Sequence, residues 1–223
     1  MKKILFLATF LFYFSTDAAL IEMRPDGSLL ISGTIEKNDV AQIKKSLSGA
    51  KKIILSDLGS GEVENYLPIA SDIYSKKKSV EIQNGCIATC VYLFLAADKK
   101  FFKEGFLGVT ESTGYYVDNW NKVQDQFENP DKKASKERLF KELTRLAKLE
   151  RKFLKDISVS EDLLLRLPKI NEKMGESAYA FVVMKPDTLT KTYKIKNIQG
   201  TMKITSVLFG EDVSKNQGLY IVE

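Results

Sequence analysis

The chain has 223 residues, 44% of them hydrophobic, with 34 Lys and Arg against 29 Asp and Glu, for a formal charge of +5. That is enough apolar material for one real core, and the charge is mild: it fits a solvated lysine-rich face as well as loose attraction to anionic surfaces. Histidine is absent, which excludes Ser-His and Cys-His nucleophile pairs and histidine-ligated metal sites, and two cysteines alone make a poor zinc site.

Met1-Lys2-Lys3 is followed by an apolar run from Ile4 to Phe14 and then by Ser15-Thr16-Asp17-Ala18-Ala19. A positive start, a short apolar stretch and small residues at Thr16 and Ala18 read as a secretory signal peptide over residues 1–18, cut after Ala18. The run is shorter than the roughly 20 residues needed to span a bilayer. The competing reading is a short buried helix at the N-terminus. No cysteine follows the run, so no lipoprotein anchor is expected. The mature chain is expected outside the cytoplasm, periplasmic or secreted, with no transmembrane segment.

Beyond the signal, Ile21-Glu22-Met23 and Leu29-Leu30-Ile31 flank the turn signature Pro25-Asp26-Gly27 and read as two short strands. Asn38 is placed to cap a helix carrying Val40, Ile43 and Leu47 on one face and ending at Gly49. Lys52–Leu55 reads as a buried strand running into the loop Asp57-Leu58-Gly59-Ser60-Gly61. A helix with the stripe Val63, Leu67, Ala70, Ile73 and Tyr74 follows. Val80–Ile82 is the next strand, Cys86–Ala97 a helix apolar nearly all round and therefore central, and Phe106–Val109 another strand. Strands alternating with helices in this way predict a parallel sheet with right-handed crossovers.

After Val109 the pattern changes. Residues 111–130 read as an irregular polar insert holding Tyr115, Tyr116 and Trp120. Residues 132–157 read as a long charged helix with the stripe Leu139, Leu143, Leu146, Leu149 and Phe153, lying on the sheet or meeting a membrane surface or partner. A helix from Ser160 to Leu167, with Pro168 inside or ending it, and strands at Phe181–Val183 and Lys203–Thr205 complete the reading. The expected divisions are a signal peptide over 1–18, an α/β core over 19–110, and a helical insert with C-terminal elements over 111–223 packing on that core.

Three features carry chemistry. Gly33 follows a strand, the Gly59-Ser60-Gly61 loop leads from strand to helix, and Gly85-Cys86-Ile87-Ala88-Thr89-Cys90 opens the central helix. A glycine-containing loop lets backbone N–H groups face a developing oxyanion, and a helix start adds positive potential. An ordinary strand-to-helix turn has the same composition. Over residues 28–110 the chain resembles the family of the Clp protease proteolytic subunit, the crotonases and the signal peptide peptidases. It is most similar to an exported bacterial branch in which two cysteines bracket the nucleophile turn. The resemblance implies an α/β, Clp-protease/crotonase-like parallel sheet with crossover helices, plus a helical C-terminal extension.

Carried over residue by residue, Ser60 and Gly61 take the place of the paired glycines of an oxyanion-like loop. The nucleophilic serine falls on Ala88 and the histidine near Thr110. Thr89 is one residue late, about 100° around a helix. The readings left open are a non-catalytic protein binding a protein or envelope partner, a hydrolase using Thr89 with a lysine base, and crotonase-like use of the loop alone. No cofactor, metal or nucleic acid is expected; a homo-oligomer is an open possibility. For an exported chain, a disulfide between Cys86 and Cys90 is the default, with a redox-active pair as the other option.

Overall fold

In the computed structural model, residues 19–124, 133–169, 181–203 and 219–222 are described. The expected signal peptide lies outside them, as do Ile204 and Thr205 of the last expected strand.

Pro25-Asp26-Gly27 does turn the chain: Gly27 takes φ +81°, and Asp26 Oδ1 accepts from the Ser28 N–H at 2.9 Å. This joins β1 (Leu20–Met23) antiparallel to β2 (Ser28–Gly33). The chain then alternates through α1 (Asp39–Gly49), β3 (Lys52–Leu58), α2 (Val63–Ser75), β4 (Ser79–Ile87) and α3 (Cys90–Ala96). Asn38 holds the N-cap position of α1 but makes no side-chain cap. β2, β3 and β4 pair in parallel, aligning Ile31, Leu55 and Ile82 across the sheet. Each return passes through a helix, as parallel strands require. Every residue of α3 is buried, as its all-round apolar character predicts, whereas Tyr74, expected in the buried stripe of α2, is exposed.

The parallel strands bend near their C-terminal ends. Gly33, Asp57 and Asn84 have φ of +87°, +50° and +63°, and the register slips after Ser32 and after Ser56. Asn84 Nδ2 donates to Asp57 Oδ2 at 2.9 Å, tying the two irregular strands together. Past the bend β4 changes neighbour: its first half pairs with β5 (Lys99–Lys103), its second with β6 (Phe106–Val109). Gly105 sits at this crossing, where a Cβ would lie 2.7 Å from Ile82 Cγ2 and 2.8 Å from the Asn84 carbonyl oxygen. Backbone cannot yield as a flexible side chain can, so Gly105→Ala is expected to cost about 1–3 kcal/mol, read as a lowered urea midpoint.

Two boundaries differ from expectation. Cys86 lies on β4, not on a helix, and α3 starts only at Cys90. Lys99–Lys103, which follows the expected helix and carries no strand expectation, forms β5. Parallel pairing with β4 on one side and β8 (Ile198–Thr201) on the other overrides the weak strand character of a lysine-rich segment.

In the second half, residues expected to be irregular form α4 (Thr113–Asp118) and α5 (Trp120–Val123), and the Ser112 hydroxyl caps α4 by accepting from the Tyr115 N–H at 3.0 Å. The long helix is present as α6 (Lys133–Asp156), but its buried line runs through Ala147, Glu150, Phe153 and Leu154. Leu149 is 43% exposed, and Leu139, Leu143 and Leu146 are half-buried. The helix packs against α4 and α2, and Phe153 meets Tyr92 of α3 edge-on at 6.0 Å. In place of a helix over 160–167 there is a single 3-10 turn, Glu161–Leu163, capped by Ser160; residues 166–169, with Pro168, are helical.

β7 (Phe181–Met184) pairs antiparallel with β6, α7 spans Pro186–Lys191, and β9 (Leu219–Val222) pairs with β7. The edge strand falls at 198–201, before the expected Lys203. Among the described residues the strand order is β1-β2-β3-β4-β6-β7-β9, with β5 and β8 beside the first half of β4. No described helix is long and apolar enough to cross a membrane.

Glu150 anchors the second half to the first. It is 1% exposed; its carboxylate accepts from the Tyr92 hydroxyl of α3 and from the Thr113 N–H at the start of α4, the latter at 2.8 Å. Burial pushes the Glu150 carboxyl above its ordinary range and the Tyr92 phenol well above its own. The next residue, Arg151, pairs with Asp118 of α4 and with Glu161.

Candidate functional site

The site lies where the bent strands end. After Ile87 the backbone reverses through Ala88, at φ +56°, and enters α3 with Thr89 as N-cap. A non-glycine residue in this region costs on the order of 1–3 kcal/mol and persists only where its surroundings hold it. Here the Ala88 N–H donates to the Gly108 carbonyl of β6 at 2.9 Å, and the Ala88 carbonyl accepts from Val91 N–H at 3.0 Å. Strand, strained residue, helix is the layout that lifts a nucleophile into the open in hydrolases. The side chain at that point is a methyl group.

Cys86 and Cys90 bracket this turn. Their sulfurs lie at bonding distance, their Cα atoms are 5.4 Å apart, and both residues are fully buried. Placing Cys86 on the strand brings the pair within ordinary disulfide reach.

The glycine loop faces the turn. The Gly59 N–H donates to the Gly33 carbonyl at 3.1 Å, closing the loop onto β2. The Gly61 N–H donates to Thr89 Oγ1 at 2.9 Å. Thr89 therefore points at the loop, not away from it: as N-cap it precedes the helix, so the rotation of about 100° per helical residue does not apply. Tyr66 of α2 lies beside the same hydroxyl. Tyr66 Oη donates to the Gly59 carbonyl at 3.0 Å and accepts from the Ile35 N–H at 3.4 Å. Burial drives the Tyr66 phenol up to about 12, so it stays protonated at neutral pH. A Cβ on Gly61 would lie 2.7 Å from Tyr66 Cε2, so glycine here lets loop and ring touch.

Loop, helix start and tyrosine thus form one hydrogen-bonded knot. The Gly61 N–H, the donor such a loop could offer to an oxyanion, is taken by the Thr89 oxygen. Among the described residues, no lysine or carboxylate is hydrogen-bonded to Thr89 Oγ1. Ser60 is exposed on the loop, and Thr110, where the resemblance puts histidine, follows β6. No acidic or cysteine cluster that could hold a metal occurs among the described residues. Tyr66 is not among the residues the sequence pattern singles out, and it lies off the apolar stripe expected for α2. Thr89→Val, which keeps the shape and removes the acceptor, is expected to cost about 1 kcal/mol and to speed hydrogen exchange at the Gly61 amide.

No family model matches the chain, and no curated protein matches it in sequence. Among solved structures, a mutant ClpP1 from Listeria monocytogenes is similar with 14% identity and a TM-score of 0.46, over 78% of this chain and 92% of that one. An enoyl-CoA hydratase/isomerase family member shares 11% identity with a TM-score of 0.33, over 43% of this chain and 51% of that one. An enoyl-CoA hydratase from Mycobacterium smegmatis shares 10% with a TM-score of 0.31, over 41% and 49%. The chain spans about half the length of these last two proteins.

Proposed function

We propose that this is an exported, Clp-protease-like protein that does no hydrolysis and acts by binding a protein or envelope partner. The observation that carries the reading is the turn itself: alanine at the strained position, with the neighbouring threonine's hydroxyl spent on the loop donor. The lack of histidine supports it, and the residue pattern of the first 18 positions together with the cysteine pair supports export. The alternative, a hydrolase with Thr89 as nucleophile and a lysine as base, requires the Gly61–Thr89 bond to open and a lysine to reach Oγ1.

Export is tested by the N-terminus of protein recovered from the periplasm, expected to begin at Ala19; an uncut chain retained in the cytoplasm contradicts it. Binding is tested with a photo-crosslinking residue in place of Ser60, the exposed point of the loop. A discrete adduct with a protein, an envelope component or a second copy is expected, and its formation should not depend on an intact Thr89 hydroxyl. Absence of any adduct, or turnover of an ester or peptide that Thr89→Val abolishes, overturns the reading.

A further inference from the structure

A cavity of about 510 Å3 opens where three helices end: Ser75 of α2, Leu95 and Ala96 of α3 and Ile157 just past α6 line it, together with residues 194–197 beyond α7. It lies away from the Ala88 turn and shares no residue with it. Its size is within the range of roughly 300–1,000 Å3 of small-molecule sites. Four residues around it, Lys77, Ser158, Lys194 and Asn197, hold positive φ without being glycine. Such strain gathers where surrounding structure imposes a shape.

Lys100, from β5, lines this cavity. The residue is only 6% exposed, and its ammonium group donates to the Ala97 carbonyl at the end of α3. Among the described residues, no carboxylate forms an ion pair with it; Asp98 acts on it only from further off. Buried charges are ordinarily paired, because desolvating an ion is costly unless an opposite charge compensates. Burial lowers the pKa of the Lys100 ammonium to about 8. Helix C-termini disfavour anions, but Lys100 already neutralises the end of α3 at the Ala97 carbonyl, and Lys194 caps the nearby end of α7 at the Lys191 carbonyl, 2.7 Å away. Lys77 and Lys196 add positive charge at the mouth, where Asp98 is the one acidic side chain among the described residues. Leu95, Ile157 and Val159 supply an apolar wall.

We propose that this cavity binds a small amphiphilic anion, its carboxylate or phosphate head paired with Lys100 and its apolar part against Leu95, Ile157 and Val159. The head would bring the missing counter-charge, and the lysines at the mouth would select for its sign. The inference does not depend on whether the Ala88 turn is catalytic.

Calorimetric titration of the mature, oxidised protein with octanoate, octyl phosphate, octanol and octyltrimethylammonium tests it. At least one of the two anions should bind with one-to-one stoichiometry, at least tenfold tighter than the alcohol or the cation, and the preferred anion identifies the head group. Lys100→Met, which keeps the side chain's bulk, should weaken that binding at least tenfold, while Lys141→Met on the far exposed face of α6 should leave it unchanged. Lys196→Ala, at the surface, should weaken it two- to fivefold and serves if Lys100→Met disturbs the fold. Bound anion should also shield Lys100 from acetylation relative to Lys141. Equal affinity for octanol and the anions, affinity indifferent to both Lys100→Met and Lys196→Ala, or no anion binding would overturn the proposal.

Discussion

Glu150→Ala is expected to lower stability by about 3–5 kcal/mol, the largest effect of any single substitution considered for this protein. The carboxylate serves two buried donors, the Tyr92 hydroxyl and the Thr113 N–H, and truncation strands both. Each orphaned donor costs on the order of 1–3 kcal/mol, and the lost side-chain volume adds to that. The damage is also directional. Tyr92 belongs to the central helix and Thr113 opens α4, so the variant should loosen α4 and α6 from the first half, seen as faster hydrogen exchange there than in β2–β4.

The same residue gives a pH signature. Burial raises the folded carboxyl above its unfolded value of about 4.5, so in the window above that value the folded state holds the proton more tightly. Its contribution is therefore complete below the unfolded value and is lost as pH rises through the folded one. Mild acidification from neutrality should strengthen the fold at this site, and Glu150→Gln should flatten that gain. Glu111, raised by burial in the same sense, should supply the part that remains.

Reducing the Cys86–Cys90 pair is expected to cost about 2 kcal/mol, the chain-entropy value for so short a loop. The double variant Cys86→Ser/Cys90→Ser should cost more, about 4 kcal/mol, because it also places two hydroxyls in fully buried positions. Denaturant midpoints of oxidised, reduced and variant protein check the order. The pair brackets Ala88, so reduction should also release local strain at φ +56°, which amide exchange at Ala88 and Thr89 would register. Two titratable thiols in the native, unreduced protein would remove the basis for this expectation.

The parallel sheet was legible because its signals are periodic and local. Pro25-Asp26-Gly27 marks its turn by composition, and the alternation from Leu29 to Val109 carries the crossover topology. What was not legible depends on partners distant in sequence. A glutamate on a lysine-rich helix reads as solvated, yet Glu150 is buried because Tyr92 and Thr113 meet it. Lys99–Lys103 reads as no strand until β4 and β8 flank it. At the site, Ala88 takes its place only through the family resemblance, and the Cys86–Cys90 pairing only through the expectation of export. The direction of the Thr89 hydroxyl differs from expectation because a helix read from Cys86, four residues before α3 begins, turns an N-cap into a helical position facing away. Tyr66 was missed because its ring predicts burial and says nothing of where its hydroxyl goes.

The direct test of the account is intact-mass analysis of the mature, oxidised protein after exposure to a panel of active-site-directed acylating and phosphonylating reagents. A chain whose turn carries Ala88, and whose Thr89 hydroxyl is held by the Gly61 N–H, should gain no adduct beyond that seen with Thr89→Val. A stoichiometric adduct mapped to Thr89, absent from the Thr89→Val protein, would contradict it.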